Sequence, residues 1–191
     1  MLNIVIFGAP GSGKGTQSEK IIATYGVEHI STGDVLRGEI KNNTELGKIA
    51  AQYINEGKLV PDSLIIDMLA STLDAKGKDI KGVIFDGFPR TIAQAEALDK
   101  MLAERGQKVS TVIGLEVEDQ ELIKRIILRG KTSGRADDNE ETAKKRLDTY
   151  YSQTLPLKDF YIQAGKYASI PGMGSIDEIF GLIQNAIDAV K

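Results

Sequence analysis

A chain of 191 residues, 41% hydrophobic and 27% charged, has the size and balance of one globular domain with a sizeable core, which sets aside disordered and fibrous classes. It has no cysteine and a single histidine, His29, which excludes disulfides and thiolate metal sites and leaves no imidazole cluster for zinc or a catalytic triad. A net charge of −3 argues against broad nucleic-acid or acidic-membrane binding. No apolar run nears the ~20 residues of a membrane span, and the start has no signal-peptide pattern, so a cytoplasmic protein without nucleic-acid or membrane partners is expected.

The first element, LNIVIF (2–7), is apolar apart from Asn3 and reads as a buried strand. It runs into GAPGSGKGT, Gly8–Thr16, with the spacing G-x-x-x-x-G-K ahead of a helix that opens near Lys14 and closes at Gly26. Glycines let successive backbone N–H groups curl inward at a helix N-terminus, where the macrodipole also favours an anion. Lys14 adds a full positive charge that can reach the β- and γ-phosphates of a nucleoside triphosphate. Gly15 stands where such loops usually carry the Ser or Thr that helps hold Mg2+, with Thr16 one place later, which argues against direct magnesium coordination by the loop.

EHIS (28–31) is the second strand, with His29 in a structural role. Residues 33–76 read as wholly helical, so part of this stretch is expected to stand off the sheet as a helical insertion. GVIFDG (82–87) is the third strand, followed by a proline turn and a helix, TIAQAEALDKMLAERG, ending at Gly106. TVIGLEV (111–117) is the fourth strand, and GKTSGRADDN (130–139) has the composition of a mobile loop between two helices. YASI (167–170) is the fifth strand, before an amphipathic helix opened by Ser175. Alternating strands and helices predict an α/β fold of right-handed βαβ units around a parallel sheet covered on both faces.

A phosphate loop does not say where the phosphate goes, since kinases, switches, motors and transporters all use one. Three other stretches stand out: STGDVLR (31–37), DGFPRT (86–91), and the arginines of KRIILRG, GRADD and KKRL. All the arginines except Arg105 fall in them, whereas the lysines are scattered, and Arg is the residue suited to bidentate phosphate contact. Arg125 and Arg129 lie four apart on one helix face, where like charges repel by ~0.2–0.5 kcal/mol unless an anion neutralises them. Lys144 and Lys145 read as a solvated helix face.

Taken in order, GAPGSGKGTQ, STGDVLR, GKLVPD, DGFPRT, GRADDNEET and GSIDEI closely resemble the adenylate kinases, nucleoside monophosphate kinases that interconvert ATP and AMP with two ADP, over essentially the whole chain. With about ten residues between Arg129 and Asn139 and no cysteine, the similarity is to the short-lid form, without a zinc site. The resemblance implies a P-loop fold with a five-stranded parallel sheet flanked by helices. It implies a core domain of 1–30, 61–128 and 140–191, an AMP-binding insertion at 31–60, and a short lid at 129–139.

The same resemblance implies roles for residues. Gly11, Ser12, Gly13, Lys14, Gly15 and Thr16 would hold the ATP phosphates, Arg125 would lie against the ATP purine, and Gly174 would place backbone beside it. Thr32, Arg37, Lys58, Leu59, Val60, Gly87, Phe88, Pro89, Arg90 and Gln94 would form the AMP site, Arg37 and Arg90 on its phosphate and Gln94 on the adenine edge. Lys14, Arg90, Arg129, Arg135 and Arg146 would be catalytic, with Arg129 and Arg135 coming down on the ATP phosphates, Arg135 and Arg146 on the phosphates in transfer and both counted in the AMP site, and Asp137 and Asp138 would position the lid and its arginines. Asp86 would orient water around Mg2+, and the protein would act as a monomer.

Two other readings share the phosphate loop. A UMP/CMP kinase on the same scaffold is disfavoured by Thr32 in STGD and Thr91 in GFPRT, where pyrimidine kinases tend to carry Ala and Asn. A nucleotide switch without an acceptor site is disfavoured by the absence of the guanine-reading N/T-K-x-D pattern.

Overall fold

The computed structural model describes residues 1–77 and 79–191. Five parallel strands, β1 (Leu2–Gly8), β2 (Glu28–Ser31), β3 (Gly82–Asp86), β4 (Thr111–Glu116) and β5 (Tyr167–Pro171), form one sheet in the order β2-β3-β1-β4-β5. These are the five strands expected, with ends shifted by at most one residue.

The continuous apolar sequence of β1 follows from burial on both faces. Successive side chains alternate across a strand, so Ile4 and Ile6 point one way and Val5 and Phe7 the other. Ile4 and Ile6 join Ile84, Ile113 and Leu115 under helices α1 (Lys14–Tyr25) and α9 (Ile176–Asp188), which supply Ile21, Ile179, Ile183 and Ile187. Val5 and Phe7 join Phe85 and Val112 under α4 (Asp62–Ala75), α5 (Ile92–Ala103) and α8 (Pro156–Gln163), through Leu69, Leu98 and Leu157 among others.

The helical stretch after β2 is three helices: α2 (Thr32–Lys41), α3 (Glu45–Asn55) and α4. Each break has a local cause. Thr44 caps α3 by accepting from Gly47 N–H at 3.0 Å, and Gly57 turns the chain at φ 72° ahead of Pro61. Leu36, Ala50 and Ile65 of these helices share the apolar cluster of Phe85, so the stretch is seated on the sheet's own core.

Glycine ends two helices as the sequence suggests. Gly26 closes α1 in the left-handed region, and Gly106 follows α5 with Gln107 N–H donating to Leu102 O at 2.8 Å, a six-residue closure that ends the regular helix at Ala103. The expected loop at 130–139 is shorter than its composition suggests, because α6 (Asp119–Ser133) runs on to Gly134 before the chain turns into α7 (Glu140–Thr149). A single π-helical turn, Tyr150–Thr154, joins α7 to α8 without a loop. Ser175 starts α9 in a capping box with Glu178.

Candidate functional site

The C-terminal ends of β1, β2 and β3 open onto one cleft, the expected place for a ligand in an open parallel sheet. The register sets Ser31 beside Asp86 and Asp86 beside Ile6. The glycine loop leaves β1 at this edge, with Gly11 and Gly13 in the left-handed region at φ 83° and 96°. A Cβ on Gly11 would lie 2.8 Å from Leu122 O, so the loop approaches α6 closely enough to require glycine on both counts.

Lys14 opens α1 and folds its ammonium back on the loop, donating to Gly8 O at 2.8 Å and Ala9 O at 3.1 Å. Burial lowers its pKa to about 8; Asp86 opposes this in part, and Arg90, Arg146 and Arg129 add to it. A lysine held so far below 10.5 is a cation waiting for an anion.

Arg90 leans over the same edge. Its Nε donates to Gly87 O at 2.8 Å, and its backbone N–H donates to Gln94 Oε1 at 2.8 Å. Burial, followed by the nearby Arg146, lowers its pKa to about 10. Gly87 sits at φ 78°, where a Cβ would come 2.9 Å from Thr32 Oγ1 and 3.0 Å from Arg90 Nη2, so Thr32 reaches Gly87 O at 2.8 Å only because that side chain is missing.

The arginines after residue 120 are held by carboxylates. Asp138, whose side chain is fully buried, accepts both Arg129 Nε and Nη2 at 2.6 Å, Ser133 Oγ at 3.1 Å and Arg146 Nη1 at 3.2 Å. Asp137 lies 3.1 Å from Arg146 Nη1. Burial pushes the Asp138 carboxyl up, but the hydrogen bonds and charge of Arg129 outweigh that and hold it below the usual carboxylate range. Arg135 Nη2 lies 3.7 Å from Asp34 Oδ1 of α2, and Asp34 also pairs with Arg37.

Arg125 and Arg129 therefore need no bound anion to relieve their mutual repulsion: Glu121 takes the first and Asp138 the second. The sequence argument from like charges at i,i+4 does not carry over.

One cleft, partly open to solvent, gathers Lys14, Thr32, Arg37, Lys58, Leu59, Val60, Gly87, Pro89, Arg90, Gln94, Asp137 and Arg146. Val60 is buried in its wall, whereas the Lys58 side chain turns outward to Glu56 at 2.6 Å. Phe88 is buried in the core rather than lining the cleft. Gln94 is engaged at both ends of its amide, since Nε2 donates to Asp62 Oδ1 at 2.8 Å; one N–H and one lone pair are left for a ligand. Gly174 and Arg125 lie apart from this cleft, and Arg125 Nη2 donates at 3.2 Å to Gly172 O, two residues before Gly174.

Sequence reasoning missed Asp34, Asp62 and the apolar lining of Leu36, Ile54 and Ile65. Asp34 and Asp62 stood inside the motifs STGDVLR and GKLVPD, and the spacing of Leu36 on α2 marked an inward face. Tyr150 and Thr154 reach the cleft through the π-helical turn, for which the sequence held no signal. Asp86 stands 3.6 Å from His29 Nε2, and among the described residues no group of three or more His, Cys, Asp or Glu could hold a metal ion.

A family model described as adenylate kinase matches residues 6–166. The chain is 66% identical to the adenylate kinase of Parabacteroides distasonis over 191 residues, the full length of both chains. It is 68% identical to that of Bacteroides thetaiotaomicron over 188 residues, 98% of this chain and 99% of the other. It is 56% identical to that of Porphyromonas gingivalis over 191 residues, 100% of this chain and 98% of the other.

Proposed function

The chain belongs to the adenylate kinase family, an ATP:AMP phosphotransferase, and from that premise we propose how its residues share the reaction that makes two ADP. The observation that carries the assignment is one cleft that gathers Lys14, Arg37, Arg90 and Arg146, with Arg129 near enough to act on Lys14 by its charge and Arg135 3.7 Å from Asp34.

Residues 31–60 form the AMP-binding insertion, 129–139 the lid, and 1–30, 61–128 and 140–191 the core. The backbone N–H groups from Gly11 to Thr16 cradle the ATP phosphates. Arg125 and the backbone at Gly174 take the ATP purine. Arg37 and Arg90 bind the AMP phosphate, and Thr32, the Lys58–Val60 backbone, the chain from Gly87 to Pro89 and the free valences of Gln94 enclose its base. Support comes from the left-handed glycines of the loop and from the wall of Val60 and Leu36 beside Gln94.

An oxygen of the AMP phosphate attacks the γ-phosphorus of ATP in line; that P–O bond forms as the bond to the β-phosphate oxygen breaks. The acceptor is already an anion, so no strong base is needed and His29 is not asked to supply one. The difficulty is repulsion between two charged nucleotides. Lys14, Arg90, Arg129, Arg135 and Arg146 offset it and stabilise charge spread over the transferring group. Closing residues 129–139 over the cleft excludes water as a competing acceptor.

Mg2+ fits this donor set, because it keeps most of its waters and asks for one or two carboxylates beside the nucleotide phosphates. Asp86, with its side chain 13% exposed at the end of β3, can orient that water, and the ion supplies further neutralisation of phosphate charge. No helix among the described residues is long and apolar enough to cross a membrane, and a cytoplasmic monomer is the form we propose, on the resemblance.

A coupled assay with MgATP and a panel of AMP, CMP, UMP and GMP tests the acceptor. AMP should exceed each of the others by at least about 100-fold in kcat/KM, since a site that hydrogen-bonds one base edge leaves polar groups unpaired with another. A preference for any other acceptor overturns the assignment of the base site.

The lowered pKa of Lys14 has its own readout. Below pH 8 the free protein already holds that proton; above it the ammonium is mostly neutral, and bound polyphosphate restores the charged form. ATP binding should take up about one proton at pH 9 and almost none at pH 7, read by calorimetry in buffers of differing ionisation enthalpy. Equal uptake at the two pH values would contradict the burial of the Lys14 ammonium that lowers its pKa.

A further inference from the structure

Arg125 sits apart from the phosphate cluster, and its setting carries a further residue into the donor site. Its Nε donates to Glu121 Oε1 at 2.8 Å, one turn earlier on α6, and its Nη2 donates to Gly172 O at 3.2 Å, in the loop between β5 and α9. Two acceptors from different parts of the fold thus fix the guanidinium plane.

The loop is itself pinned. Gly172 N–H donates to Glu116 O at 2.7 Å, and a Cβ on Gly172 would overlap Val117, so its carbonyl reaches Arg125 through a close backbone approach. Immediately beyond in the chain stand Met173 and Ile176, both exposed, with Gly174 at φ 122° between them.

Two comparable i,i+4 pairs on α7 show what an ordinary surface pair looks like here. Lys144–Glu140 and Lys145–Glu141 have side chains 54–79% exposed and, among the described residues, no ion-pair partner beyond each other. Arg125 and Glu121 are 29% and 28% exposed, and Arg125 has a second partner, Gly172 O, across the chain, while Glu121 also lies 3.9 Å from Lys124. A pair half withdrawn from water and tied to a second element holds a geometry rather than decorating a helix.

We propose that Glu121 is a positioning residue for the donor nucleotide: it holds the Arg125 guanidinium flat against the 172–176 loop, so that the platform for the ATP purine is formed before ATP arrives. The proposal rests on the assignment of Arg125 to the ATP purine. An aromatic base gains from stacking on a planar cation only if the plane is presented face-on, and a guanidinium with a single tether would have to be ordered at the moment of binding. Glu121 does not line the cleft that gathers the AMP-site residues, so its effect falls on one substrate.

The test is steady-state kinetics of E121A, E121Q and R125A, each with ATP and AMP varied separately, beside thermal melting. E121A should raise KM for ATP about three- to fivefold while KM for AMP and kcat hold. E121Q keeps an acceptor oxygen for Arg125 Nε and should recover most of the loss. R125A should raise KM for ATP by about tenfold. If R125A raises KM for ATP and E121A leaves it unchanged, Glu121 is an ordinary surface partner and the proposal is wrong. Equal rises in both KM values, or no recovery in E121Q despite a normal melt, overturn it as well. An R125A enzyme with unchanged KM for ATP removes the purine assignment itself, a failure distinct from that of Glu121.

Discussion

Lys14→Met should lower kcat by about a thousandfold or more while the protein melts within a few degrees of the parent. Removing one preorganised donor from a developing charge costs about 10²–10³ in rate, and Lys14 brings a full cation where the glycine loop supplies only backbone dipoles. Met keeps the length and apolar stem of the side chain and loses the charge alone. The fold should tolerate the change because the ammonium is held at a cost, which is the meaning of a pKa lowered to about 8 by burial. What is lost on the stability side is a pair of hydrogen bonds to Gly8 O and Ala9 O, each worth about 1.5–3 kcal/mol at most and offset by relief of that burial. A coupled assay and a melting curve check both halves; turnover within tenfold of the parent removes Lys14 from the chemistry.

Asp138→Asn should lower kcat by about 100-fold and stability by about 2–3 kcal/mol, with a smaller change in KM for either nucleotide. Asp138 is the one buried carboxylate shared by Arg129 and Arg146, and Arg129 meets it through both ends of its fork. An amide can accept from only one oxygen and turns an N–H2 group toward a guanidinium, so both arginines lose their aim although each is still present. A misplacement of about 1 Å is enough for a loss of that order. The full cost of a broken buried pair, about 3–5 kcal/mol, is reduced here because the Arg129 side chain is 35% exposed and Arg146 keeps Asp137.

The pH dependence has a definite sign. Arg129 holds the Asp138 carboxyl below its unfolded value, so its contribution is complete above about pH 4 and is lost as pH falls through the lower folded value. Melting from pH 7 down to pH 2 should therefore fall more steeply in the parent than in the Asp138→Asn variant below pH 4. Parallel curves would show that the pair adds nothing to stability.

The strands, the phosphate loop and most helix ends were legible because they rest on local causes. β1 needs only a run of apolar residues, Gly26 only an absent Cβ, and Ser175 only its own hydroxyl and Glu178. Where reading by composition failed, a contact from elsewhere decided. GKTSGRADDN looked like a loop, yet α6 runs through its first four residues, and a Cβ on Gly130 would overlap the Asp138 carbonyl, so the end of this helix is set by the chain that folds back on it. The π-helical turn at 150–154 left no mark in the sequence because nothing in YYSQT requires it; it joins two helices seated in different apolar clusters, α7 through Leu147 beside Leu122 and α8 through Leu157 and Tyr161 beside Phe85.

The residues able to bind phosphate were all present in the sequence by type and motif: Lys14 in its glycine loop, Arg37 in STGDVLR, Arg90 in DGFPRT, and the arginines of the later segments. Their nature is a property of the side chain and needs no neighbours. Glu121 with Arg125 and Asp34 with Arg37 are local pairs one helical turn apart, whereas only the tertiary structure decided the others: Asp138 for Arg129 and Arg146, and Asp34 for Arg135. The same holds for the depressed pKa of Lys14, which comes from burial and from charges more than 70 residues away in the chain. Charge type is written residue by residue, whereas Coulomb energy and desolvation depend on distance and on water, and both are set when the helices close over the sheet.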